Sequence, residues 1–264
     1  MVDANRSLTT LTRIGFASRG LLYLVIASLV LTTGRAEDPA GALEYLGQGG
    51  GQILLTLMTL GLLAYGLWRL SDAIFDIERH GTDRSAIFER LGAAASGIVH
   101  FILAFQAMKL MQGASTNAEN SSQDAAQSVL LFPGGSTLLI VSGLALFAVG
   151  VFQFVKAAKL SYLKHLDTRI SRRPWVKWTG RLGYAARGIV FLITSFFLIK
   201  AGQDEQASEA GGMAEALSWL NSPWDLIVAA GLLAFGMFSL IEARYRILHD
   251  VPVDSLAQRV RAKL

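Results

Sequence analysis

The stretch RIGFASRGLLY at residues 13–23 returns as RLGAAASGIVH at 90–100 and as RLGYAARGIVF at 181–191. Each copy opens a long apolar segment, and a second apolar segment follows before the next copy begins. Self-similarity on this scale marks one supersecondary unit used several times. Here the unit is a pair of helices, and three units fill a single integral membrane domain over residues 1–264: 13–79, 90–165 and 181–249.

Length makes the apolar segments membrane spans. Hydrocarbon about 30 Å thick is crossed by roughly 20 mostly apolar residues rising about 1.5 Å each. Six segments meet that requirement, near residues 14–33, 52–70, 91–111, 135–158, 182–201 and 224–243. Composition agrees, with 52% hydrophobic and 17% charged residues and a mean hydropathy of +0.43, outside the usual range of a soluble domain. The absence of cysteine excludes disulfides and thiolate metal sites. A net charge of +4 would suit a nucleic-acid binder only if the basic residues shared one soluble face. They flank the spans instead, so nucleic acid is not an expected partner.

Lys and Arg retained in short loops mark the cytoplasmic side. Only Arg35, Lys109 and Lys200 fall on the opposite side, where the loops carry acids such as Glu37, Asp38, Glu119, Asp204 and Glu209. Both termini are therefore expected in the cytoplasm. Trp175 and Trp178 before the fifth span, and Trp219 and Trp224 before the sixth, stand where amphipathic rings settle at headgroup level. The first span has the outline of a signal peptide. Its match to two internal segments makes it a retained helix.

The second helix of each unit has its own signature: YGLWRLSDA at 65–73, VGVFQFVKA at 149–157 and FGMFSLIEA at 235–243. Gly66, Gly150 and Gly236 are thus equivalent. Before each lies a short stretch with helical spacing, around Leu43, Leu130 and Leu217, which predicts a brief amphipathic helix in the outer interface. Equivalent helices are separated by an even number of spans, so the units run parallel about an axis along the membrane normal. The expected fold is all-α: a six-transmembrane-helix bundle of three parallel helical hairpins in a pseudo-threefold arrangement. Small residues at the helix openings, Gly15 and Gly20, Gly92 and Gly97, Gly183 and Gly188, predict close backbone packing.

The R-x-G-x-x-x-x-G openings and the G-L-x-x-Y/F-G second helices, as in residues 61–68 and 231–238, resemble the bacterial domain-of-unknown-function 1206 family over nearly the whole chain. The resemblance implies three tandem two-helix membrane units and supplies no reaction, ligand or catalytic residue. The middle unit departs most, with Ser96 where its sisters carry Arg and with Ala148 and Val149 before its glycine.

Ionisable groups inside spans are costly and are commonly paired or functional. Arg19 and Arg187 are equivalent, and their units carry Asp72 and Glu242 at the basic end of the second helix. The middle unit lacks both features, with Ser96 for the Arg and Lys156 for the acid. This joint change predicts two ion pairs, Arg19 with Asp72 and Arg187 with Glu242. It leaves Lys156 to a neighbouring unit's acid, an anionic lipid headgroup or a partner. His100 stands where its sisters have Tyr23 and Phe191, one turn from Ser96, giving the middle unit a polar face near mid-membrane.

No nucleophile–base pair, phosphate-binding loop or metalloprotease helix is recognisable. No cofactor is implied either. His80, His165 and His249 recur once per unit, but their spacing drifts and none lies in a ligand motif, so no metal site is expected. The basic run at 156–177 fits the anionic inner leaflet. The functional expectation is a non-enzymatic structural scaffold that binds lipid or a protein partner. The alternative is a small-solute or proton pathway through Ser96 and His100.

Overall fold

The computed structural model describes residues 4–48, 51–78, 84–113 and 121–247. Six long helices form the bundle: α1 (Ala4–Thr33), α3 (Gln52–Phe75), α4 (Arg84–Met111), α6 (Gly135–Lys159), α8 (Pro174–Asp204) and α10 (Trp224–Tyr245). Each is long and apolar enough to cross a membrane. Four short helices lie in the connections: α2 (Pro39–Gly47), α5 (Ser121–Leu130), α7 (Thr168–Ser171) and α9 (Met213–Trp219). Several spans outrun their apolar cores, α8 most of all. It starts at Pro174, which supplies the fixed φ favoured at a first helical position, and carries Trp175 and Trp178 exposed on its first turns.

The closest helix contacts join different units. α3 packs on α4, α6 on α8, and α10 on α1, so the second helix of each unit meets the first helix of the next in cyclic order. The motif glycines make these seams. A Cβ built on Gly20 would lie 2.9 Å from the Gly236 carbonyl oxygen, and one on Gly236 equally close to that of Gly20. Gly66 and Gly97 approach in the same way, at 3.2 and 3.1 Å, and a Cβ on Gly150 would lie 3.3 Å from the Gly188 carbonyl. In lipid, where apolar burial gives little preference for a helix over an acyl chain, such backbone approach is what holds helices together.

The opening arginine of the motif serves the same seam. Arg90 donates to the carbonyl oxygens of Ala73 (2.8 Å) and Ile74 (3.1 Å), and Arg181 to that of Ala157 (3.3 Å). Ala73 and Ala157 are equivalent residues in the last turn of the preceding unit's second helix. A cation there satisfies end carbonyls and complements the helix dipole.

Contacts within a unit are uneven. In the first, Gly15 lies against Tyr65 and Gly61 against Ser18; in the third, Gly183 lies against Phe235 and Gly231 against Ala186. In the middle unit a Cβ on Gly92 would meet nothing within 4 Å. Its partners by equivalence, Val149 and Ala145, are exposed. Among the described residues α4 and α6 make no packing comparable with α1–α3 or α8–α10, so the ring of helices is open at this one position.

The side of the bundle with acidic loops is closed by apolar packing. Ile26, Leu43, Leu62 and Leu217 are all buried in one core. The short helices therefore do not simply lie in the interface as expected. α2 and α9 turn their apolar faces into the bundle, burying Ala42, Leu43, Ala216 and Leu217 against the spans, while Tyr45 and Trp219 stay outside. A protein groove between diverging helix ends offers these faces fuller contact than headgroups do. On the basic side the loop after α6 is stitched to the end of α10, with Ile247 N–H donating to His165 O at 2.7 Å and Asp167 N–H to Tyr245 O at 3.0 Å. Tyr162 is buried there, its ring stacked on Tyr184 at 5.0 Å and its hydroxyl donating to Lys177 O at 2.6 Å. Part of the basic run is thus packed on protein instead of spread on a surface.

The seam geometry predicts unequal tolerance at equivalent glycines. Gly183→Val drives methyl groups into the Phe235 backbone and lowers detergent-solubilised stability by about 1–3 kcal/mol. Gly92→Ala meets no clash and gains up to about 1 kcal/mol from helix propensity. Thermal unfolding of the two variants checks this. Equal destabilisation at both sites would contradict the open middle unit.

Candidate functional site

The Gly20–Gly236 seam sets Arg19 of α1 beside the basic end of α10. Its Nη2 lies 2.5 Å from Glu242 Oε2, Nη1 donates to the Tyr65 hydroxyl at 2.6 Å, and Nε to Ser239 Oγ at 3.1 Å. The rings of Phe16, Tyr65 and Phe235 lie about its guanidinium at 4.6, 5.2 and 5.0 Å. All its donor atoms are engaged in a site sheltered from solvent, which is the condition for a buried arginine to be tolerated. Glu242 accepts from Arg246 through its other oxygen at 2.5 Å, and Arg246 pairs in turn with Glu78. A ladder Arg19–Glu242–Arg246–Glu78 therefore runs from the seam to the basic face. Burial alone would raise the Glu78 carboxyl; Arg246, with His165 and Arg69, holds it down to about 2. The guanidinium of Arg246, its positive form favoured by Glu78 and Glu242 despite burial, lies over Phe16 and Trp68.

This corrects the pairing expected within each unit. Arg19 pairs with Glu242 of the third unit, not with Asp72, and Glu242 is not the partner of Arg187. The expectation took the hairpin as the contact, whereas the polar positions meet across the seams between units. Asp72 is fully buried, 3.5 Å from Arg69 on its own helix, and accepts from Glu78 N–H at 2.8 Å. Across its seam stands Ser96. Across the seam between the second and third units stand Lys156 and Arg187, two cations in the equivalent places of Glu242 and Arg19.

Neither cation has a carboxylate within ion-pair distance among the described residues. Arg187 turns toward the bundle centre, its guanidinium near Phe235 (4.5 Å), Phe191 (4.9 Å) and Tyr23 (5.5 Å), with Nε buried and unpartnered. Lys156 Nζ lies 4.7 Å from the Phe152 ring. His100 is half-buried, its ring 4.4 Å from that of Tyr65, and its Nδ1–H donates to the Ser96 carbonyl at 2.7 Å. In the neutral ring Nε2 is then left as an acceptor. Gln106 and Gln153 each carry a buried, unpartnered Oε1. His80 and His249 lie outside the described residues, among which no His, Cys, Asp and Glu cluster has metal-site geometry.

Sequence reasoning missed Arg246 and Glu78. The positions equivalent to Arg246 are Asp76 and Leu160, so the repeat carries no signal there. The spacing of Glu242 and Arg246, four apart across a helix end, is the one local hint.

The model for the family described as Domain of Unknown Function (DUF1206) matches the chain three times, at residues 14–76, 91–159 and 182–246. The chain belongs to this family. It is similar to "Uncharacterized protein YxxB" of Bacillus subtilis (strain 168), at 30% identity over 247 residues, 89% of this chain and 90% of the relative. No solved structure matches. Each family match covers one helical pair, so the seams that carry the ion ladder lie between matches.

Two outcomes follow. In a double-mutant cycle, Arg19→Met and Glu242→Gln show a coupling of about 1–3 kcal/mol in unfolding free energy, while Arg19→Met and Asp72→Asn add independently. Because the folded Glu78 carboxyl is depressed, its stabilisation is fully present above its ordinary pKa near 4.5 and is lost as pH falls toward about 2. Melting curves of Glu78→Gln between pH 3 and 7 should therefore be flatter than those of the unaltered protein. A parallel pH response would remove Glu78 from the ladder.

Proposed function

We propose that this multi-pass membrane protein is a rigid scaffold that binds lipid or a protein partner, not a transporter or an enzyme. The observation that carries the reading is the apolar closure opposite the ion ladder, formed by Ile26, Leu43, Leu62 and Leu217. A solute path needs water or polar groups through the full depth of the bundle. Here the ion pairs of the ladder gather in the basic half, while the other half is mostly apolar core, in which Thr59 and the Oε1 of Gln106 are buried polar groups of the α3–α4 side. The spans are continuous helices, whereas transporter sites are typically built where helices are interrupted near the midplane. The Arg19–Glu242–Arg246–Glu78 ladder ties the first and third units together, which suits a fixed body better than one that rocks between two states.

In this reading the basic side faces the cytoplasm of a bacterial inner membrane, with both termini on that side. Lys159, Lys164, Arg169, Arg172 and Arg173 then meet the anionic inner leaflet. No catalytic role is assigned to any residue.

The cysteine-free chain allows a direct test. In His100→Cys, placed near the membrane midplane, a hydrophilic thiol reagent added from either side should leave the residue unlabelled while control cysteines in the loops react. Labelling would show water at that depth and favour a solute path over the scaffold.

A further inference from the structure

We propose that the cleft between α4 and α6 is the binding site for one anionic phospholipid of the basic-side leaflet, with its phosphodiester taken by Lys156 and Arg187. The inference rests on the scaffold reading and names its lipid.

The first ground is charge. Across the other seams, Arg19 faces Glu242 and Ser96 faces Asp72, so no two like charges meet. Across the third, the equivalent positions hold Arg187 and Lys156, two cations within electrostatic range of each other. An uncompensated cation at this depth is unfavourable, and a pair of them more so. Neighbouring charges do not remove the excess. Arg69 is paired with Asp72 at 3.5 Å, and Glu89 on α4 acts on Lys156 from a distance without ion-pair contact. Lys156 and Arg187 thus keep a positive charge with no carboxylate in ion-pair contact among the described residues, and a phosphodiester supplies the opposite sign. Arginine and lysine together offer a forked donor and a point cation to phosphate oxygens, and the buried Nε of Arg187 has no protein acceptor.

The second ground is shape. Where the other units close their hairpins glycine against aromatic, this one stands open. Its walls by equivalence are Gly92, Ala95 and Val99 on α4 and Ala145, Val149 and Phe152 on α6, all of them exposed. These apolar walls extend from beside Lys156 into the bilayer, which places an acyl chain along the cleft when the phosphate is at the cations. A soluble anion would gain the charges but leave the walls bare. A lipid covers both.

The binding test uses the full-length protein stripped of lipid in an uncharged detergent. Phosphatidylglycerol is compared with phosphatidylcholine of the same acyl chains and with inorganic phosphate, by melting temperature and by native mass spectrometry. Phosphatidylglycerol should raise the melting temperature and remain bound as one molecule per chain, with the other two probes having little effect. Lys156→Gln removes an unpaired charge and so should fold; it should weaken phosphatidylglycerol binding about fivefold or more. Gly92→Trp fills the cleft without touching either cation and should abolish retention. Equal stabilisation by both lipids, or full retention in Lys156→Gln and Gly92→Trp, overturns the site. Protection of His100→Cys would in that case still leave the scaffold standing. A shift produced by inorganic phosphate alone overturns the lipid assignment, and with labelling of His100→Cys it overturns the scaffold as well.

Discussion

Backbone approach at three glycine seams is the constraint on which the rest of this structure depends. Gly66 with Gly97, Gly150 with Gly188 and Gly236 with Gly20 bring the second helix of each unit against the first helix of the next. In hydrocarbon the helices gain little from hiding apolar side chains from lipid, so contact must come from close packing and polar links. Because the order is cyclic, the last unit closes on the first, and the chain becomes one body, not a row of hairpins. The opening arginines reinforce the seams through the end carbonyls of the preceding helix.

The same packing determines what happens to charge. Three equivalent positions on the first helices stand across the seams from three on the second helices, and the sequence fills them differently: arginine and glutamate, serine and aspartate, arginine and lysine. The first becomes the buried ladder through Arg246 to Glu78. Removing one partner from such a ladder strands a charge, which costs more than the intact pairs contribute over a well-packed apolar substitute. The third is the exception, and it adjoins the one hairpin that does not close. Val149 where the sisters have Tyr65 or Phe235, and Ala145 where they have glycine, deprive the middle unit of the contacts that draw the other two shut.

Much of this was legible in the chain. The six spans, the three units and the small-residue openings follow from repeat and length, because span length and backbone approach are local demands that each unit meets with its own residues. Partners were not legible. The joint loss of Arg and acid from the middle unit marks Arg19, Glu242, Lys156 and Arg187 as one set of positions, of which the structure joins Arg19 with Glu242. It does not say whether they meet within a unit or across a seam, and the pairing with Asp72 fails on that point. Arg246 and Glu78 lie just past helix ends, where the three copies differ and the repeat gives no guide. The inward faces of α2 and α9 depend on the space left by converging spans, a property of the assembled bundle.

The open middle unit can be measured as a distance. Spin labels on cysteines replacing Leu21 and Leu67, Ile98 and Val151, or Ile189 and Met237 occupy equivalent positions on the two helices of the first, second and third units. Pulsed electron paramagnetic resonance in lipid nanodiscs reads the three separations. The separation in the middle unit should exceed the other two, which should agree with each other. Three equal distances would mean that the middle hairpin closes like its sisters, and the cleft together with the asymmetry built on it would be wrong.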